Sequence, residues 1–412
     1  MNNQDSAWIC CQLGAREHYA IPRALHRTGQ LEHLITDAWV KPDSLFKKLP
    51  VASLRNLGDR HHFDLRNASV LSFTKELIIF EAKQRLLKTK AWPRMIARND
   101  WYQQKVISQL KRISAQNPQK KLILFTYSYA ALEILKFAKS QGWVTVLGQI
   151  DPGEEEEKIV LAESKKYPKL VPDWQPVSPQ YWQNWRAECK LSDHILVNSN
   201  WSKKLLLRDG VEEESVKVIP LVYTAPSEAR NFKRVYPQTF TSERPLHVLF
   251  LGLITLRKGI AACLKAIAKL KDQPVEFWFV GSQQINVPEA LVNHQQVHWV
   301  GAVPRSEVAS YYKKADIFLF PTLSDGFGLT QLEAQAWGLP IIASKHCAEV
   351  VKDGLNGFLL NEVETSKMGI ELRDIFNHIL ANPQILKKLS SSSYIQEKNT
   401  LERLASTLDH II

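Results

Sequence analysis

At 412 residues, with 45% hydrophobic and 23% charged side chains, the chain has an ordinary globular composition and exceeds the length that one hydrophobic core serves. No run is apolar enough to span a bilayer, the start MNNQDSAWICCQLG lacks a signal-peptide pattern, and Cys10, Cys11, Cys189, Cys263 and Cys347 show no zinc spacing. This predicts a cytoplasmic two-domain protein with reduced, buried thiols, whose formal charge of +11 is concentrated in residues 41–121, with 18 basic and 6 acidic side chains.

The chain opens with an apolar strand, Trp8 to Leu13, closed by Gly14. A helix-like stretch, a turn at Gly29 and a second apolar segment near Leu34 follow. Such strand–turn–helix–strand order is the grammar of a parallel sheet. It recurs at LILFTYS (Leu122 to Ser128), WVTVLGQ, HILVNS (His194 to Ser199) and VKVIPL (Val216 to Leu221). Between Tyr223 and Pro245 the periodicity stops, and polar and turn residues predict a linker. A second series begins at LHVLFLG (Leu246 to Gly252), with a helix from Gly259 to Leu270. VEFWFVG, VHWVGAV, DIFLFPT and LPIIAS continue it, and Leu386 to Ile412 reads as helical. Two α/β series predict two Rossmann-like domains facing a cleft, with ligands beyond the carboxyl ends of the strands.

The segment Pro321 to Ser344 carries the chemistry. An apolar strand enters the turn Asp325-Gly326-Phe327-Gly328, and a helix follows from about Leu329 to Trp337, stopped by Gly338 and Pro340. Amides at a helix start bind anions, and glycines let the backbone come close, so Gly326 to Thr330 suit a diphosphate. Glu333 lies eight positions after Asp325. That spacing places one acid on the turn and the other about one turn into the helix, and if the helix points at the ligand the two can bracket a phosphate-linked sugar.

This string resembles the donor motif of family 4 of the retaining glycosyltransferases, the group 1 class with the GT-B fold. The matching residues are Asp325, Gly326, Phe327, Gly328, Glu333, Ala334, Gly338, Leu339 and Pro340, and Asp325 stands where the family usually has Glu. FLGLITLRKGI is similar to the family's first strand and loop of the nucleotide domain, with Gly252 ending the strand. There a basic pair clamps the diphosphate. Lys258 matches one member, and Arg257 supplies the second charge, since Leu253 replaces the usual Arg. The Gly301 to Val303 turn is placed to touch the base, so Leu329, Thr330 and Val303 join the donor-binding set. The resemblance also covers residues 192–222 and weakens over 41–121, where acceptor-binding sequence usually diverges. It implies transfer of a sugar from a nucleotide-diphosphate sugar to a saccharide or lipid-linked acceptor, in polysaccharide or glycolipid biosynthesis. Retention at the anomeric carbon is implied as well. So is metal independence, with no cofactor besides the donor substrate: two cations, amides and a helix dipole can neutralise the leaving diphosphate.

Other candidates have two readings each. Gln149 and Asp151 stand where relatives often place a His near the sugar, and Asp before Pro-Gly is also an ordinary turn residue. Gly14, Arg16, Glu17 and His18 sit at the cleft end of the first strand, at an expected helix start. Tyr127 and Tyr129 follow the strand at Leu122. Trp174, Tyr181, Trp182 and Trp185 form either a saccharide wall or core packing. The stretch EAKQRLLKTKAWPRMIARNDW reads as a basic helix kinked at Pro93, either lying on an anionic membrane or simply solvated. No nucleic-acid recognition motif accompanies the charge.

The expected organisation is therefore an acceptor domain over 1–222, a linker over 223–245, a nucleotide-sugar domain over 246–389, and a terminal helix over 390–412 that crosses back. The rival readings are a catalytically impaired GT-B protein that binds a nucleotide sugar or glycan as a scaffold, and a sugar-nucleotide epimerase on the same fold.

Overall fold

The computed structural model describes residues 7–41, 60–89, 91–116 and 118–411; the part of the basic segment at 42–59 lies outside them. The first series forms a seven-stranded, all-parallel sheet. Its strands are β1 (Ala7–Gln12), β2 (Leu31–Thr36), β3 (Val70–Ser72), β4 (Leu122–Tyr127), β5 (Val144–Gln149), β6 (His194–Val197) and β7 (Val216–Val218), in the order β3-β2-β1-β4-β5-β6-β7. The second is a six-stranded parallel sheet of β8 (Leu246–Leu251), β9 (Val275–Val280), β10 (Val297–Gly301), β11 (Ile317–Phe320), β12 (Ile341–Ser344) and β13 (Gly357–Leu360), in the order β10-β9-β8-β11-β12-β13.

Alternation of side chains across a strand explains why these segments are apolar throughout. In β1, Ile9 and Cys11 enter one buried cluster and Trp8 and Cys10 the opposite one. In β9, Phe277 and Phe279 face one side and Trp278 and Val280 the other. Helices cover both faces. Those that bear on the site are α1 (Ala20–Arg27), α2 (Thr74–Leu86), α3 (Ala91–Gln116), α4 (Leu132–Ser140), α5 (Glu154–Lys166), α6 (Pro179–Leu191) and α7 (Asn200–Arg208), then α8 (Ile260–Ile267), α9 (Arg305–Lys314), α10 (Leu329–Ala336), α11 (Thr365–Ala381), α12 (Gln384–Ser391) and α13 (Leu401–Leu408).

Strand order reverses between β1 and β4 in the first sheet and between β8 and β11 in the second. Each reversal splays two loops apart and opens a crevice at the carboxyl ends of the strands. The loops concerned are 13–19 and 128–131 in one sheet, and 252–259 and 321–328 in the other. The clefts are thus fixed by topology before any side chain is considered.

Three local expectations change. Leu386 to Ile412 is two helices rather than one, because α12 ends at Ser391 and α13 begins at Leu401. Between them the chain is held by other partners: Ser393 Oγ donates to the Leu339 carbonyl (2.9 Å), Tyr223 N donates to the Asn399 carbonyl (3.1 Å), and Asn399 Nδ2 donates to the Leu221 carbonyl (2.7 Å). These contacts pin the linker and the terminal segment together where both cross between the sheets. Pro93 does not kink a helix but sits in the first turn of α3, where its missing amide breaks no intrahelical bond. Arg16 to His18 are not an ordinary helix start either: Glu17, His18 and Tyr19 all adopt left-handed backbone, with φ of 52°, 52° and 60°.

The last helix, α13, places Leu401, Leu404 and Leu408 on one face and buries them with Trp8 and Leu25 beneath the first sheet. Leu404→Ala would leave a cavity there and should destabilise this sheet by about 2–5 kcal/mol in chemical denaturation followed by tryptophan emission. An unchanged midpoint would show that α13 is not part of that core.

Candidate active site

The loop after β8 and the turn after β11 meet through charge. Lys258 Nζ donates to Asp325 Oδ2, and Arg257 Nη1 lies 3.3 Å from the same oxygen. Arg257 Nη1 also reaches Glu156 Oε1 on α5, at 3.4 Å, so the guanidinium stands between acids from both halves of the molecule. Lys258 Nζ lies 4.7 Å from the centre of the Phe320 ring. Burial pulls the Lys258 ammonium below its ordinary value, with Asp325 opposing. Burial would raise the Asp325 carboxyl, but Lys258 and Arg257 outweigh it and hold the group below its usual range.

Two glycines make the turn possible. A side chain on Gly326 would come within 2.3 Å of the Ile150 carbonyl oxygen, so only glycine lets this turn lie against the chain leaving β5. Gly328 has φ of 85°, and a Cβ there would sit 2.3 Å from the Phe320 ring. Phe327 N donates to Asp325 Oδ1 (3.3 Å), and Phe327 itself is core. The first amides of α10, those of Leu329 and Thr330, have no intrahelical acceptor, as at any helix start. On the opposite side Gly252 closes β8, its N–H donating to the Val280 carbonyl (2.9 Å), and Val303 packs against the second sheet's core.

Glu333 is on the fifth residue of α10 and has its own environment. Its Oε2 accepts from Tyr312 Oη at 2.9 Å. Burial raises its carboxyl, opposed by the Tyr312 hydrogen bond and the Arg305 charge. The expected pair of acids thus has separate partners: Asp325 is tied to the loop after β8, and Glu333 to α9.

From the first sheet, Asp151 faces this cluster. Its Oδ1 accepts from Tyr129 Oη, from Gly153 N (3.0 Å) and from Gln149 Nε2 (3.2 Å), and burial raises its carboxyl against those hydrogen bonds. Gln149 is buried with both ends of its amide committed: Nε2 also donates to Tyr129 Oη (3.0 Å), and Oε1 accepts from Trp185 Nε1 (3.0 Å). It orients Asp151 and Tyr129. The aromatic group divides. Trp185 and Trp182 are core, and Trp182 with Trp92, Trp174 and Tyr181 also lines a cavity of about 270 Å³ that Arg257 and Glu156 border.

The left-handed turn after β1 costs about 1–2 kcal/mol per residue, and specific contacts hold it. Gln12 Nε2 donates to the carbonyls of Gly14 (3.0 Å) and Arg16 (2.9 Å), and Gly14 N donates to the buried Asp37 (2.9 Å). The turn points His18 across the cleft, where the Arg305 guanidinium lies 3.1 Å from both ring nitrogens. Burial, with Arg305 and Arg23 adding, lowers His18 to about 4, so it meets Arg305 as neutral imidazole. Trp201 of α7 closes the same side, stacking on His346 at 3.9 Å between centroids and donating to Ser324 Oγ (3.0 Å).

Glu156 and Arg305 escape a reading of the sequence. Glu156 is one of four consecutive glutamates, which look alike until the second sheet selects one. Arg305 opens an exposed helix and gains a meaning only through His18. Asp37 had a usable signal: it is an acid at the carboxyl end of a strand.

Burial pushes the Glu156 carboxyl up to about 8, Arg257 opposing and Asp151 adding. The folded protein therefore keeps a proton that the unfolded chain releases, and its stability falls as pH rises from about 5 to 8. In Glu156→Gln that contribution disappears. The variant should gain on the wild type as pH rises, by at most about 1.4 kcal/mol per pH unit, in denaturation series at pH 5 to 8. Parallel curves would show that Glu156 is ionised throughout.

Comparison with known proteins adds a family to this geometry. Residues 245–377 match the family described as "Glycosyl transferases group 1". An uncharacterized 41.2 kDa protein in the cps region of Klebsiella pneumoniae is 29% identical over 196 residues, 46% of this chain and 53% of that protein. The alpha-monoglucosyldiacylglycerol synthase of Acholeplasma laidlawii is 38% identical over 190 residues, 41% of this chain and 46% of its own. The chain thus spans about half the length of the curated relatives it matches. The crystal structure of Anabaena Alr3699/HepE in complex with UDP and glucose shares the fold, with a TM-score of 0.59, 16% identity, and coverage of 98% of this chain and 100% of that one. The two parallel α/β sheets form a GT-B fold, and the second of them, within residues 245–377, is similar to the group 1 glycosyltransferases.

Proposed function

We propose that the chain is a retaining, metal-independent glycosyltransferase that moves a sugar from a nucleotide-diphosphate sugar to a saccharide or lipid-linked acceptor. The observation that carries this reading is the Lys258–Arg257–Asp325 cluster, set at the strand reversal of the second sheet and facing Asp151 and Glu156, which follow β5 of the first. A diphosphate arriving there would take over the two cations from Asp325, with the amides of Gly326 to Thr330 and the start of α10 adding donors. Charge that develops on the leaving diphosphate would then meet two fixed, partly buried cations. Glu333, whose carboxylate accepts from Tyr312, would accept further hydrogen bonds from donor hydroxyls. The acceptor oxygen would bond to the anomeric carbon on the face the phosphate leaves, and the hydroxyl proton would pass to the departing phosphate oxygen. HepE in complex with UDP and glucose, and a relative named as a glycolipid synthase, are consistent with such substrates. No cofactor beyond the donor enters this scheme.

The protein is incubated with a panel of nucleotide sugars and saccharide acceptors in the presence of EDTA, with nucleotide release measured and anomeric configuration read by NMR. Lys258→Ala should lower kcat by about 10²–10³-fold, and Glu333→Ala should lower kcat/KM by about 10–100-fold. Nucleotide binding without turnover would sink the enzyme reading in favour of a binding protein. An inverted product would overturn retention.

The proposal extends to peripheral contact with an anionic membrane face. Ile79 and Leu86 share one side of α2 with Lys75 and Lys83, and Leu86 and Leu87 are 84% and 60% exposed. No helix among the described residues is long and apolar enough to cross a membrane. Leu86→Glu with Leu87→Glu should reduce co-sedimentation with phosphatidylglycerol vesicles by several-fold, since about 0.8 kcal/mol attends each buried methylene. Equal sedimentation would remove this surface from the account.

A further inference from the structure

Behind Asp151 the first sheet contains a second cavity, of about 380 Å³, that shares Trp92, Tyr129, Asp151 and Tyr181 with the first. Its walls carry three guanidinium groups, from Arg16, Arg60 and Arg98. The buried Asp37 answers two of them, lying 2.6 Å from Arg98 Nη2 and 3.8 Å from Arg60 Nη1, and Arg98 Nη1 is also 3.9 Å from Glu81. Arg16 makes no ion pair among the described residues; it lies 5.8 Å from the centre of the Tyr127 ring. Among the described residues, Arg16 Nε, Arg98 Nε and the hydroxyl of Ser128 (a residue 2% exposed), all on residues lining this one cavity, are buried donors without a hydrogen-bond partner.

A folded protein seldom leaves several donors of one cavity unmatched, because each loses its water without replacement. A neutral sugar presents hydroxyls that must both give and take hydrogen bonds. A carboxylate or phosphate only accepts, offers several lone pairs at once, and fits the planar fork of an arginine. We propose that this cavity binds an oxyanion group carried by the acceptor, so that the acceptor is an acidic saccharide or a sugar phosphate. The inference rests on the transferase reading for the identity of the ligand as acceptor. The shared walls fit it: an acceptor anchored by its charge at Arg16 and Arg98 extends past Tyr129 and Asp151 toward the Arg257–Lys258 side, with the aromatic rings of Trp92 and Tyr181 beside its sugar.

The full chain is titrated calorimetrically with methyl glucoside, methyl glucuronide and glucose 1-phosphate, each with and without saturating UDP. One or both charged ligands should bind at least about tenfold more tightly than the neutral one, and the tighter of the two identifies the source of the oxyanion. Arg16→Gln leaves no buried carboxylate without its partner, so it is the informative variant. It should remove most of the preference, and Ser128→Ala a smaller part, while UDP affinity stays the same. Equal binding of all three ligands, or a preference that survives in Arg16→Gln, overturns the proposal. Failure of the transferase reading is read independently, as the absence of nucleotide release by the wild-type protein from every nucleotide sugar in the panel.

Discussion

The contact of Asp325 with Lys258 and Arg257 organises much of this protein. It joins the two loops that flank the strand reversal of the second sheet, and through Arg257 it reaches Glu156 on the first. Buried charges persist only when paired, and each member here is held by another. The same pairing makes the arrangement responsive. Asp325 already occupies both cations, so an anionic ligand arriving there would replace one anion by another rather than create a new charged site.

The two sheets approach each other through small residues and flat rings as well as through apolar side chains. Gly326 admits the Ile150 carbonyl, Trp201 lies on His346, and His18 meets Arg305 as neutral imidazole. Farther out, α5 packs Ile159 against the core of the second sheet, and Glu163 accepts from Thr365. These contacts draw on the left-handed turn at Glu17 to Tyr19 and on a glycine at position 326. Backbone geometry of this kind is retained where surrounding interactions over-determine it.

Much of the fold was legible because parallel strands buried on both faces must be apolar along their whole length. Leu246 to Gly252 and Ile317 to Phe320 could be read without knowing their neighbours. The turn at Asp325 to Gly328 was equally legible, since the need for glycine beside a helix start is local. The terminal helices misled for the opposite reason. Residues 392–400 have helix-compatible composition, yet hydrogen bonds to Leu339 and Leu221 hold them in another path. Gln149 looked like a cleft residue, and only the placement of Trp185, Tyr129 and Asp151 shows its amide fully engaged inside the protein.

The sequence by itself determined two α/β series, the strand and helix alternation within each, and a glycine-bearing turn with acids at Asp325 and Glu333 followed by a helix. These depend on periodicity and on backbone freedom, which neighbouring residues carry. Tertiary structure alone decided that Arg257 stands between Asp325 and Glu156, that Glu333 belongs with Tyr312, and that Arg16, Arg60 and Arg98 line one cavity. Charge acts through space over a few ångströms, while the residues concerned lie tens to hundreds of positions apart in the chain. Only the folding of two sheets against each other selects which of many similar charges meet.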